Sequence, residues 1–115
     1  MNQSSPLLNC LRRRAGRPVA SLLMLLFPLW AVQTRGATFY WDTDASDTGN
    51  STSGLNLGGA GTWDTSTSNW WDGTNPLTAW NNSLNNLAVF TGNAGMVTLG
   101  EGIIAGGLRF NRGGY

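Results

Sequence analysis

The chain has 115 residues, seven arginines, six acids and a formal net charge of +1, with no lysine, no histidine and a single cysteine, Cys10. Those absences remove the usual side chains for Ser-His or Cys-His catalysis and for His-based metal sites. Paired carboxylates remain, but the acids sit in short polar turns where nothing raises a carboxyl pKa as acid catalysis requires, so the chain reads as non-enzymatic.

Residues 1–36 read as a secretory signal peptide. Arg12, Arg13, Arg14 and Arg17 precede an apolar, uncharged run from Val19 to Val32. That run is shorter than the roughly 20 residues a membrane-spanning helix needs, and a basic stretch before a short apolar core is the export pattern. Thr34 and Gly36 supply small residues for cleavage near Gly36/Ala37. An uncleaved anchor, with Arg35 as a weak stop, is the competing reading. The Arg12-Arg13 pair alone does not make a twin-arginine signal. Cys10 precedes the apolar core and is flanked by Asn9, unlike a lipid-attachment cysteine, so it is expected to leave with the signal.

With residues 1–36 removed, two arginines (109 and 112) face six acids, a net charge of −4. Nucleic-acid binding loses its electrostatic basis, and contact with a membrane is expected only during export. The 79 residues that remain carry no cysteine and fourteen glycines. An exported domain of that size without disulfides is marginal alone and fits a bacterial surface or secreted protein.

Along 37–115, helical periodicity is nearly absent. Thr38 to Trp41 is β-prone, residues 44–61 form a turn-rich loop relieved by Leu55 and Leu57, and Gly61–Asp64 and Asn69–Asp72 read as short strands. Residues 74–86 are polar around Pro76 and Trp80 and read as loop. Leu87–Phe90, Met96–Leu99 and Ile103–Phe110 follow as three apolar runs separated by glycine turns. The Gly-Gly-Ala-Gly stretch at 58–61 is a flexible turn with no helix after it to make a phosphate site. The sequons at Asn50 and Asn81 are expected by chance in Asn/Ser-rich sequence and carry no function. Strands about eight to twelve residues apart indicate an all-β sandwich, barrel or solenoid. Tyr115 reads as the first residue of a further strand, so the chain is expected to be truncated.

Tyr-Trp-Asp (40–42), Gly-Thr-Trp-Asp (61–64), Ser-Asn-Trp (68–70), Ala-Val-Phe-Thr-Gly (88–92), Val-Thr-Leu (97–99) and Gly-Leu-Arg-Phe-Asn (107–111) behind a signal peptide resemble the N-terminal region of bacterial autotransporter-associated β-strand repeat proteins of the planctomycete and verrucomicrobial type. The resemblance implies a right-handed parallel β-helix, with 37–86 as a Trp/Gly-rich cap and 87–115 as its first rungs. It also implies a secreted or cell-surface location, a role in attachment or scaffolding, and downstream β-strand repeats or cell-surface components as partners. The repeats themselves and a C-terminal translocator are missing.

Two constellations compete with this structural reading. Trp63, Trp70 and Trp71 are the candidates for stacking on sugar rings in a small polysaccharide-binding module. Packing is the bland alternative, because a β-domain poor in Leu and Ile draws its apolar area from aromatics. Neighbours in a strand face opposite ways, so Trp70 and Trp71 cannot both enter one core, and one of them is expected to be exposed or covered by a partner. Asp42, Asp44 and Asp47 are the metal candidates, for weak calcium binding at extracellular levels. Ser46 and Asp47 stand where a calcium loop wants an oxygen ligand followed by glycine, so a solvated turn without a cofactor is preferred.

Overall fold

The computed structural model describes residues 36–115; nearly all of the segment expected to be a signal peptide, with Thr34 and Cys10, lies outside the described residues. The segment Gln33–Tyr115 is one compact unit. Its elements are all strands: β1 (Thr38–Trp41), β2 (Gly61–Trp63), β3 (Trp70–Trp71), β4 (Leu87–Phe90), β5 (Val97–Leu99) and β6 (Gly107–Phe110). Among the described residues no helix is long and apolar enough to cross a membrane.

Two small sheets result. The first has the order β3-β1-β4-β6, and the second consists of β2 and β5. β1, β4 and β6 run parallel, and the pairing steps 49 residues from Thr38 to Leu87 but only 20 from Leu87 to Gly107. β2 and β5 are also parallel, with Gly61 opposite Val97 and Trp63 opposite Leu99. Only β3 breaks the direction, pairing antiparallel with Trp41 opposite Trp70. The first sheet is therefore mixed. The expected boundary between residues 86 and 87 falls between strands of one sheet, because β1 lies alongside β4.

Between the sheets the chain turns a corner that is itself hydrogen-bonded. Asp42, Gly58 and Asn93 form consecutive parallel bridges. The N–H of Gly58 donates to Trp41 O at 2.9 Å, and the N–H of Asn93 donates to Leu57 O at 2.8 Å. The longer first step thus carries two excursions that the second lacks, residues 43–57 and residues 64–86. The second excursion is tied to residues 101–106: Trp80 Nε1 donates to Ile104 O (3.0 Å), Ile104 N donates to Asn82 Oδ1 (2.8 Å), and Thr65 N donates to Glu101 Oε1 (2.6 Å).

The pleat sorts the side chains. Phe39 and Trp41 of β1, Ala88 and Phe90 of β4 and Trp63 of β2 point into the space between the sheets, where Trp41, Trp63, Trp70, Trp80, Ala88 and Phe90 form the buried cluster. Leu57, Trp71 and Val89 are buried outside that cluster. The 43–57 excursion covers this second face: Thr52 approaches Gly73, Gly54 approaches Thr91 and Gly92, and Leu57 is 1% exposed. Trp70 and Trp71 are both buried within the chain, at 0% and 6% exposure, which corrects the expectation that one of them would be exposed or covered by a partner. The alternation holds: Trp70 joins the inner cluster, while Trp71 packs on Tyr40 outside it.

Tyr115 also departs from expectation. It lies outside any strand and turns back through Gly114 (φ +96°), with its ring 5.3 Å from that of Phe90. Its hydroxyl sits within hydrogen-bond distance of the carbonyls of Thr91 (2.5 Å) and Asn93 (2.8 Å). A phenol with two carbonyls in reach gains more here than in an unpaired strand.

Candidate functional site

The three stacking candidates lie in the interior. Trp63 is 4% exposed, and its ring centroid lies 4.7 Å from Trp70, 5.0 Å from Trp80 and 5.6 Å from Phe90. Trp70 touches Trp41, Trp63, Trp80 and Phe90, with centroid distances from 4.6 to 5.7 Å. Trp71 packs on Tyr40 at 5.9 Å on the other face. Neighbouring side chains therefore occupy the ring faces that a sugar would need.

The indole N–H groups divide into two kinds. Trp41 Nε1 donates to Gly59 O at 2.9 Å, and Trp80 Nε1 donates to Ile104 O, so each ring also fastens a loop. Those of Trp63 and Trp70 are buried without an acceptor among the described residues. Leaving a buried donor unmet costs about 1–3 kcal/mol, so aromatic burial is strong enough here to carry two such losses.

Of the metal candidates, Asp42 is 1% exposed, while Asp44 and Asp47 lie on the exposed loop. Asp42 accepts from Asn50 Nδ2 (2.6 Å) and from Asp44 N (3.3 Å), and Asp44 accepts from Ser46 N (2.8 Å). Each carboxylate thus fixes the backbone two residues on. Among the described residues no group of three or more His, Cys, Asp or Glu side chains is gathered to hold a metal ion.

Burial pushes the Asp42 carboxyl above its ordinary 3.8, and the Asn50 hydrogen bond only partly offsets it. A carboxyl raised in the folded state favours folding below 3.8 and loses that contribution as pH rises through the raised value. Asp64 and Asp72 act oppositely: hydrogen bonds from the Thr67 backbone and the Asn75 side chain, respectively, hold them below 3.8, and their contribution is lost as pH falls. Asp42→Asn removes the buried charge and keeps one of the two acceptor oxygens, the one that takes Asp44 N, while its new amide N–H can be met by Asn50 Oδ1 once the Asn50 amide turns over. Its melting temperature, measured against the unsubstituted chain across pH, is expected to gain progressively above 3.8 and to show no gain in stronger acid. A constant offset at all pH values would show that the carboxyl is not the titrating cause.

The least satisfied surface lies at the far edge of the parallel stack. Among the described residues, β6 has a strand on one side only. Leu108 (57%), Phe110 (56%) and Leu99 (59%) are exposed there, around an apolar groove of about 440 Å³ that is also lined by Ile103 and reaches inward to Trp63 and Phe90. At the opposite edge, β1 is covered by β3, whose Trp70 bridges in turn to Thr78. One end of the stack is closed and the other is open. Alternation of Leu108 and Phe110 about Arg109 is visible in the sequence; the one-sided exposure of that alternation is not, because it depends on pairing with Ala88 and Phe90.

Over 80 residues, 66% of its length, the chain is 40% identical to the adhesin BmaC autotransporter of Brucella suis biovar 1 (strain 1330). It is related to an autotransporter protein. It spans only 2% of that relative's length. No protein-family model matches the chain, and no solved structure matches it.

Proposed function

We propose that the chain is a non-enzymatic surface-attachment segment of an autotransporter-like protein, exported behind the apolar leader, whose residues 37–115 form the cap and first turns of a right-handed parallel β-helix. The observation that carries this reading is the pair of parallel ladders, β1-β4-β6 and β2-β5, repeating in step along the chain and closed at one end by β3. Solenoid turns contact only their neighbours, so a terminal turn needs a cover, and β3 with its three indole neighbours supplies one. The similarity to an autotransporter adhesin supports a place at the cell surface. Its β-strand repeat character and its partners, further strands of the same kind or cell-surface components, belong to this proposal. The sugar-stacking alternative has less behind it, because Trp63, Trp70 and Trp71 offer no free ring face.

The test is protease shaving of intact cells of the native host with an epitope tag inserted in frame after Tyr115 at the chromosomal locus, so that whatever is encoded downstream is kept. The tag is expected to be removed from whole cells while a cytoplasmic marker stays intact. A tag that becomes cleavable only after lysis would overturn the reading.

A further inference from the structure

Strand β6 presents a recognition pattern that its partner β4 does not. In the parallel register, Ala88 lies beside Leu108, Val89 beside Arg109 and Phe90 beside Phe110. The inward positions form columns: Phe39, Ala88 and Leu108 in one, Trp41, Phe90 and Phe110 in the other. Phe90 and Phe110 stack at 4.9 Å with planes 12° apart, close to the strand spacing of about 4.8 Å, so the aromatic column follows the ladder. Its next place lies directly beyond Phe110. Between the columns, Arg109 is exposed on the edge strand. A directly neighbouring residue in a parallel strand faces the same side, so the position beyond Arg109 is suited to a carboxylate.

We propose that the open edge of β6 accepts one further parallel polypeptide strand whose three central residues are apolar, acidic and aromatic, set beside Leu108, Arg109 and Phe110 respectively. The proposal rests on the reading of the chain as a stack open at this end, and it specifies the strand by charge complementarity and by the continuing aromatic column. A second copy of this chain does not fit. Its own β6 carries arginine at the middle position, so parallel pairing sets Arg109 beside Arg109, and like charges directly opposite are destabilising. Main-chain hydrogen bonds give such an added strand its hold, and the alternating side chains give it selectivity.

The experiment titrates the purified full chain into a labelled twelve-residue peptide with Leu-Glu-Phe at its centre, read by fluorescence anisotropy at low salt, alongside a Leu-Lys-Phe peptide. The glutamate peptide is expected to bind saturably and about fivefold or more tightly than the lysine peptide, the scale of an exposed cross-strand charge pair replaced by a like-charge one. Arg109→Glu should reverse the preference and Arg109→Gln should erase it, while Phe110→Ala should weaken both peptides. Equal binding of both peptides, or no binding by a chain whose fluorescence still shows cooperative unfolding, overturns the proposal. So does a dimer in sedimentation that excess peptide leaves intact, since a second copy then covers the edge. A chain shaved from the cell surface that binds neither peptide sinks this inference alone; a chain that binds with the stated preference but never reaches the surface sinks the functional reading and leaves the edge as assigned.

Discussion

Trp70→Ala is expected to remove about 3–5 kcal/mol of folding stability, the cost of emptying a large aromatic site in a core that cannot collapse around it. Trp70 is fully buried and is the hub of the inner cluster, in contact with Trp41, Trp63, Trp80 and Phe90. Its backbone also joins β1 to Thr78, donating to Thr78 O at 3.1 Å and accepting from Thr78 N at 2.8 Å. At 0.05–0.15 kcal/mol per residue, a unit of this size holds roughly 4–12 kcal/mol in all, so the substitution takes about a quarter of it or more. Trp70→Phe separates the causes. It keeps an aromatic ring and deletes the indole N–H that has no acceptor, so its cost is expected to stay near 1–2 kcal/mol. Urea titration followed by the fluorescence of the remaining tryptophans measures both. Equal losses in the two variants would show that the hub is held by something other than aromatic packing.

Much of this organisation was legible in the residues, and the remainder shows where pattern reading stops. Thr38–Trp41, Leu87–Phe90 and the end of the run at Phe110 announce themselves as strands by β-prone residues bounded by glycine turns, and they are strands. Their partnership was not legible. Leu87 lies 49 residues from Thr38 and 20 from Gly107, and alternation within a strand carries no information about which strand lies beside it. The burial of Trp71 could have been suspected from Leu57, an apolar residue isolated in a glycine-rich loop, since a loop that spends a leucine has a face to cover. Asp42 was read as a metal candidate from its neighbours in sequence; its burial and its bond to Asn50 arise from the corner at Gly58, which no local spacing reveals. The relation to an autotransporter protein agrees with the coarse part of the resemblance carried by the short Trp-Asp and Phe-Asn motifs.

Gly58 is where the loop reading is most consequentially wrong, and it carries the second large prediction. As part of Gly-Gly-Ala-Gly it reads as a flexible turn, yet it sits between Asp42 and Asn93 in two parallel bridges, with φ at +96°. Its carbonyl accepts from Thr43 N (3.1 Å) and Thr43 Oγ1 (2.9 Å). A methyl group here would meet the backbone oxygen of Asn93, which cannot move without opening the corner between the two sheets, and would stand 2.5 Å from the Tyr115 hydroxyl, whose side chain would have to shift as well. Steric overpacking of about 1–3 kcal/mol adds to backbone strain of about 1–3 kcal/mol for a side chain at this φ. Gly58→Ala is therefore expected to cost about 2–6 kcal/mol, on the scale of losing the central tryptophan. Gly113→Ala is the control, because nothing lies within 4 Å of its added methyl, and it should be near neutral. The corner reading makes a further demand that a generic destabilisation does not: Gly58→Ala should accelerate amide exchange at Asn93 and Gly59, whose N–H groups donate to Leu57 O and Asn93 O, before it affects Leu87, whose N–H donates to Ala37 O at the other end of β4. If Gly58→Ala and Gly113→Ala melt together, the glycine is only a turn, and the two sheets are held together without the corner.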